Sequence, residues 1–289
     1  MLTMDTNDGH QVVPRPRWGH GLPPHPELQA LVERGRADYE RLLDEIAGQR
    51  DFLHAIGHEP DTHEPLAPYW NNIWFTALDA AALVMFLLTR RPKHYFEVGS
   101  GNSTMFANRV LKSSGLTTVI SSIDPQPRTP VDSLCHRKIR APLENCNLGL
   151  FGELHAGDIL FIDGSHRVFT NSDVTVFFLE VLPRLEPGIL IHIHDIFLPS
   201  DYPQDWEQSL FAEQYMLAAM MLCGSPPFRV VLPNYFICTD AALAARVRAI
   251  FKAKAGQDIP FAYPNALKTL PTSFWIETTS SRPTPSPSG

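Results

Sequence analysis

Beyond residue 26 the apolar positions recur first at helical and then at strand spacing. In residues 27–56, Leu28, Leu31, Val32, Tyr39, Leu42, Leu43, Ile46 and Leu53 fall near a period of 3.6, which predicts an amphipathic helix or helix pair. Tyr69–Leu88 opens with aromatic and amide residues and continues as an Ala- and Leu-rich run, the pattern of a buried helix, and Pro92 blocks its continuation. From there strand and helix alternate. Tyr95–Val98, Thr118–Ile123, Arg137–Arg140, Asp158–Ile162, Ile189–Ile193, Phe228–Leu232 and Phe274–Glu277 read as strands. Thr104–Lys112, Asp173–Leu185 and Trp206–Leu222 read as helices. That alternation predicts an α/β fold: a Rossmann-like, doubly wound, mostly parallel sheet of about seven strands, preceded by an N-terminal helical cap.

The ends fall outside this pattern. Residues 1–26 are polar and proline-rich, the last dozen are Ser/Thr/Pro-rich, and neither offers enough apolar surface to offset chain entropy. The expected organisation is a disordered segment over 1–26, a helical cap over 27–64, a cofactor-binding domain over 65–278 and a disordered tail over 279–289. Residues 1–26 have no apolar core of the kind that marks a secretory leader, and the apolar run Ala77–Leu88 is too short to span a bilayer. Cys135, Cys146, Cys223 and Cys238 form no C-x-x-C pair. Together these features point to a cytoplasmic protein with reduced thiols and no membrane partner. A net charge of -7 and the lack of a Lys/Arg stripe weigh against nucleic acid. A small molecule is the expected partner, and a homodimer the base-rate expectation.

Ligands of doubly wound sheets bind beyond the carboxyl ends of the strands, and this chain concentrates its polar chemistry there. His94–Thr104 (HYFEVGSGNST) runs from a strand through a glycine turn into a helix. Gly99 and Gly101 admit close approach of a ligand, and Asn102, Ser103 and Thr104 can cap the following helix or bond the ligand at its start. Glu97, before the turn, could accept from a cationic amino group. Asp124 ends the next strand, 23 residues beyond Gly101, about where a ribose-binding acid stands in such folds. Asp163 ends the FID strand ahead of Gly164-Ser165-His166, and His192, His194 and Asp195 close the strand ILIHIHD.

The run E-V-G-S-G-N-S-T resembles the first motif of class I S-adenosylmethionine-dependent methyltransferases. GDILFIDGSH and LPRLEPGILIHIHDIFLPSDYP resemble the fourth- and fifth-strand motifs of a bacterial group within that superfamily, largely uncharacterised in substrate. The likeness spans roughly residues 65–240. It implies that Glu97, Gly99, Ser100, Gly101, Asn102, Ser103, Asp124 and Asp163 hold S-adenosylmethionine. It also implies methyl transfer to an oxygen or nitrogen of a small metabolite, such as a sugar or natural-product intermediate.

Such a transfer needs alignment of acceptor and methyl and removal of a proton. His194, nearest the strand end, is the first candidate base and His166 the second, with Asp195 beside them; His192 reads as a core histidine. Catechol O-methyltransferase and its relatives hold magnesium with acids at the ends of the fourth and fifth strands, where Asp163 and Asp195 stand here. This chain has Ile196 where those relatives carry a further oxygen ligand, and two acids flanked by histidines would equally suit manganese, iron or zinc. Acceptor contacts are expected from Tyr69, Trp70, Asn71, Asn72 and Trp74 and from a lid at Phe197–Trp206. Two rival readings remain: a non-catalytic cofactor- or partner-binding module, and a nicotinamide-dependent oxidoreductase. Against the second, Thr104 stands where its turn would need a third glycine.

Overall fold

The computed structural model describes residues 4–5 and 11–279. Strands β1 (His94–Val98), β2 (Val119–Ile123), β3 (Arg137–Ile139), β4 (Ile159–Ile162), β5 (Leu190–Ile193), β6 (Phe228–Pro233) and β7 (Phe274–Thr278) form one seven-stranded sheet in the order β3-β2-β1-β4-β5-β7-β6. β1 to β5 pair in parallel; β7 inserts antiparallel between β5 and β6. This is the Rossmann-like sheet expected from the alternation. Its central strands are buried on both faces, so β4 (ILFI) and β5 (LIHI) show no polar face.

Helices α1 (Pro26–Glu33), α2 (Arg36–Gly48) and α3 (Arg50–His54) bury Leu28, Val32, Tyr39, Leu42, Leu43, Ile46 and Leu53, most of the residues whose spacing predicted a cap. Helix α4 (Ala77–Arg90) is buried along nearly its whole length. It ends at Arg91, whose left-handed φ of 49° lets its N–H reach Leu87 O, and Pro92 then bars a further turn. Helix α5 (Asn102–Ser114) follows the glycine turn and closes at Gly115, also left-handed. Helix α6 (Asp173–Val176) widens into a π turn at Phe177–Val181 and tightens to 3₁₀ at Leu182–Arg184, where Pro183 has no N–H to donate.

Two expectations need correction. The single helix expected at Trp206–Leu222 is a 3₁₀ segment, Gln204–Ser209, a left-handed residue at Leu210, and then α7 (Glu213–Leu222). The break has a tertiary cause: the N–H groups of Ala212 and Glu213 donate to the carbonyl of His166 at 2.7 and 3.1 Å, so α7 starts where His166 caps it. The second concerns the N-terminal segment expected to be disordered. Among its described residues, the stretch 14–25 lies along the loop after β5. Gln204 donates to Pro14 O at 3.0 Å, Trp18 N–H to Asp201 Oδ2 at 3.1 Å, and His25 N–H to Pro199 O at 3.0 Å. Of the expected disordered tail, only Thr279 lies within the described residues; the rest lies outside them.

Helices α8 (Asn234–Thr239) and α9 (Ala241–Phe251) follow β6, and a long irregular stretch returns the chain to β7. Among the described residues no helix is long and apolar enough to cross a membrane, and the four cysteines are unpaired.

Candidate active site

The carboxyl ends of β1, β2, β4 and β5 open on a cavity of about 860 Å³. Its walls include Gly99, Ser100, Asp124, Asp163, His166, His194 and Asp195. Glu97, Gly101, Asn102 and Ser103 do not reach its lining.

At the glycine turn, Gly99 has φ +82°, and a Cβ there would come within 1.9 Å of Asp163 O, so the close approach of the chain just beyond the paired ends of β1 and β4 admits only glycine. Gly101 faces open space. The Ser100 N–H donates to Asp124 Oδ2 at 2.8 Å, and the Gln126 N–H to Asp124 Oδ1 at 2.8 Å. Asp124 thus joins the first two strand ends and keeps lone pairs toward the cavity. Glu97 plays a different part from the one expected. It is fully buried, accepts from Tyr95 Oη at 2.9 Å and from Thr104 Oγ1, and burial pushes its carboxyl up to about 7. One oxygen takes the strand's Tyr95 hydroxyl and the other the Thr104 hydroxyl at the start of α5.

The opposite wall is built on His166. Both ring nitrogens face carboxylates: Nδ1 is 2.8 Å from Glu213 Oε2, and Nε2 is 3.2 Å from Asp163 Oδ1 and 3.5 Å from Asp195 Oδ2. Burial alone would favour the neutral ring, but bonds to Asp163 and Glu213 and the charge of Asp195 hold His166 well above its ordinary value. Burial would likewise raise Asp163; His194 and His166 instead hold it far below the usual carboxylate range. His166 and Asp195 both adopt left-handed backbone, φ 58° and 54°, uncommon for these residues and at the cavity wall in both cases.

His194 is buried and makes no side-chain hydrogen bond: Nδ1 has no partner, and Nε2 stands 3.7 Å from Asp195 Oδ1. Burial would lower its pKa, but the carboxylates of Asp195, Asp163 and Asp79 prevail and raise it. His192 is the core histidine expected, stacked on Phe161 at 3.8 Å and bonded through Nε2 to Ser273 Oγ at 2.7 Å. Burial and the charge of His194 keep it neutral.

The expected acceptor residues divide. Trp70 is buried and donates to Leu53 O, and Asn72 is spent on its own loop, bonding Tyr69 O, Phe75 O and the N–H groups of Trp74 and Phe75. Trp74 lines the cavity with the Arg128 guanidinium 4.4 Å over its ring. Asp205 and Trp206 of the expected lid also line it. The sequence reading missed Phe169, Tyr263, Asn265, Leu267 and Thr272. The last four lie between α9 and β7, where no periodicity marks an element.

The two acids expected to hold a metal do not fit one. Both already face the His166 Nε2 hydrogen, and among the described residues no group of three or more His, Cys, Asp or Glu side chains is placed to ligate a cation.

Residues 96–196, which span β1 to β5 and every strand end described above, match the model of a methyltransferase domain family. Over 101 of its 289 residues, then, the chain is similar to a methyltransferase domain. No curated protein matches this chain. Among solved structures it is similar to an O-methyltransferase from Bacillus cereus in complex with S-adenosylhomocysteine (12% identity, TM-score 0.40, covering 83% of this chain and 91% of that one). It is also similar to the plantazolicin methyltransferase BpumL with a pentazolic desmethyl analogue and S-adenosylhomocysteine (13% identity, TM-score 0.37, covering 68% and 82%).

Proposed function

We propose that the protein is an S-adenosylmethionine-dependent methyltransferase acting on an oxygen or nitrogen of a small metabolite, with His194 as the general base and His166 as a fixed cation that positions Asp163 and Asp195. The observation that carries this is the contrast between the two rings. Every ring nitrogen of His166 is committed to a carboxylate, so it has no lone pair to accept a proton. His194 lines the same cavity with its Nδ1 unpartnered and its Nε2 3.7 Å from Asp195 Oδ1, beyond hydrogen-bond distance.

The cofactor supplies an electrophilic methyl group on a sulfonium. Gly99 and Ser100 would receive it at the glycine turn, and Asp124 would accept from its ribose hydroxyls. Asp163 stands between the turn and the transfer site. At that site the acceptor's O–H or N–H bond would break as its proton passes to His194, while the acceptor's electron pair would form the new bond to the methyl carbon and the methyl–sulfur bond would break, its electrons leaving on the neutral thioether of S-adenosylhomocysteine. Asp195 keeps a negative charge beside the imidazolium that results. Trp74 and Phe169, both more than half exposed, and Leu267 line the same cavity and would contact an acceptor larger than the transfer site itself.

The test is calorimetric titration with S-adenosylmethionine and S-adenosylhomocysteine, then an acceptor screen that reads S-adenosylhomocysteine formation. His194→Ala is expected to bind S-adenosylhomocysteine as the parent does and to form none in the presence of an acceptor. A His194→Ala enzyme with undiminished turnover would remove the base assignment. A chain that binds cofactor but turns over no acceptor would be a binding module instead.

A further inference from the structure

Asp79 sits in the first turn of α4, outside every sequence motif, and its side chain is wholly buried. Four donors converge on it. Asn234 Nδ2 and the Ser273 N–H reach Oδ1 at 2.7 and 2.9 Å; Tyr263 Oη and the Thr272 N–H reach Oδ2 at 2.7 and 2.9 Å. A buried carboxylate is retained only when its lone pairs are filled, and here each oxygen takes two donors.

Those donors close a loop. Tyr263 and Thr272 stand at its two ends, and Tyr263, Asn265, Leu267, Thr269 and Thr272 all line the methyl-transfer cavity. Within the loop, the Tyr263 N–H donates to Thr269 O at 2.8 Å, and the Thr269 N–H to Asn265 Oδ1 at 3.1 Å. Beyond it, the two residues whose amides bind Asp79 bear side chains that bind the site. Thr272 Oγ1 donates to Asp195 Oδ1 at 3.1 Å, and Ser273 Oγ is 2.7 Å from His192 Nε2. Thr272 O also accepts from the Ile196 N–H at 3.0 Å, so Thr272 holds the left-handed Asp195 from its side chain and from the peptide that follows.

We propose that Asp79 is a positioning residue for the transfer site: one buried carboxylate pins both ends of the 263–272 wall and, through Thr272, sets Asp195. Its role in methyl transfer rests on the function proposed above; the latch itself does not. Asp79→Asn tests it, because the amide presents an N–H to at least one of the converging donors and cannot fill all four contacts.

The full chain and Asp79→Asn are compared by hydrogen exchange, by imidazole nitrogen NMR at one fixed pH, and by S-adenosylhomocysteine titration. The expected result is exchange about tenfold faster across 263–273 with 94–124 unchanged. The His192 and His194 ring signals should move, and S-adenosylhomocysteine affinity should stay within about threefold. A carboxylate that merely stabilised the fold would quicken both segments alike and leave the ring signals in place; that result, or unchanged exchange in a folded Asp79→Asn, overturns the proposal. If Asp79→Asn does not fold, Tyr263→Phe removes a single donor and decides: faster exchange at 263–272 supports the latch, and parent-like exchange overturns it. Failure of the parent chain to bind S-adenosylhomocysteine would sink the methyl-transfer reading alone and leave the exchange data to judge the latch.

Discussion

The Nδ1 of His166 lies 2.8 Å from Glu213 Oε2, with both side chains buried, and the carbonyl of the same histidine caps the helix that carries Glu213. One residue therefore joins the loop after β4 to α7 through backbone and side chain together. Glu213→Gln removes the charge but keeps an acceptor. It is expected to cost about 1–3 kcal/mol, read by urea unfolding at neutral pH, because His166 loses part of its compensation. The sign with pH follows from the raised pKa of His166. Its contribution is complete below the ordinary histidine value and is lost as pH rises through the raised one, so the gap between parent and variant should narrow at alkaline pH.

Asp124→Ala should weaken S-adenosylhomocysteine binding by about tenfold or more, equivalent to about 1.4 kcal/mol. Asp124 also accepts from the Ser100 and Gln126 amides, so Asp124→Asn, which keeps one acceptor oxygen, should lose less. Calorimetry on the two variants separates them. Equal and undiminished affinity in both would place the ribose elsewhere.

Gly99→Ala is expected to be the most damaging single methyl group in the chain. The new Cβ would meet Asp163 O at 1.9 Å, and the φ of +82° strains any side chain. A loss of about 3 kcal/mol or more in unfolding free energy is expected, with cofactor binding abolished in whatever folds. Gly101→Ala, where nothing lies within 4 Å, should leave stability nearly unchanged.

The contrast between those glycines marks what was legible in the sequence and what was not. Both looked alike in E-V-G-S-G-N-S-T, because a glycine turn declares that the backbone bends but not which neighbouring strand end packs against it. The strand ends themselves were readable, since β4 is a continuous apolar run and β5 one broken only by His192, and they stop at Asp163 and at His194-Asp195. So was the N-terminal cap, from Leu28 to Leu53. Glu97 was placed toward the cofactor because local spacing cannot show that Tyr95 and Thr104 already occupy it. His166 and Glu213 are 47 residues apart, and nothing local announces that two such residues will meet. Asp79 stands in an otherwise apolar run of helix with no motif around it, and the loop from Tyr263 to Thr272 has no period to betray it; long-range contacts alone give both their meaning.

His194 should govern the pH dependence. Only the neutral ring can take a proton, and the carboxylates of Asp195, Asp163 and Asp79 raise its pKa against the pull of burial. The kcat/KM for any acceptor found should therefore climb with pH, with its lower limb centred above the ordinary histidine value. Asp195→Asn removes the nearest of those charges and should move that limb to lower pH. A limb that stays in place would detach the profile from His194.

The pair Asp163 and Asp195 gives the sharpest separation between a cation site and a histidine site. An imidazolium Nε2 hydrogen already stands within 3.2 and 3.5 Å of their oxygens, and Glu213 balances the other side of the ring. Exhaustive chelation of the parent protein is therefore expected to leave S-adenosylhomocysteine affinity unchanged. Removing the ring should reverse the situation, because His166→Ala leaves three carboxylates around the space it filled, a hard oxygen set of the kind that suits magnesium or manganese. Calorimetry with manganese alone should show no binding to the parent and measurable heat with His166→Ala. That heat should vanish again in the double variant that also carries Asp195→Asn. Manganese binding by the parent at the same concentration would mean that the acids serve a metal and that His166 yields its place to it.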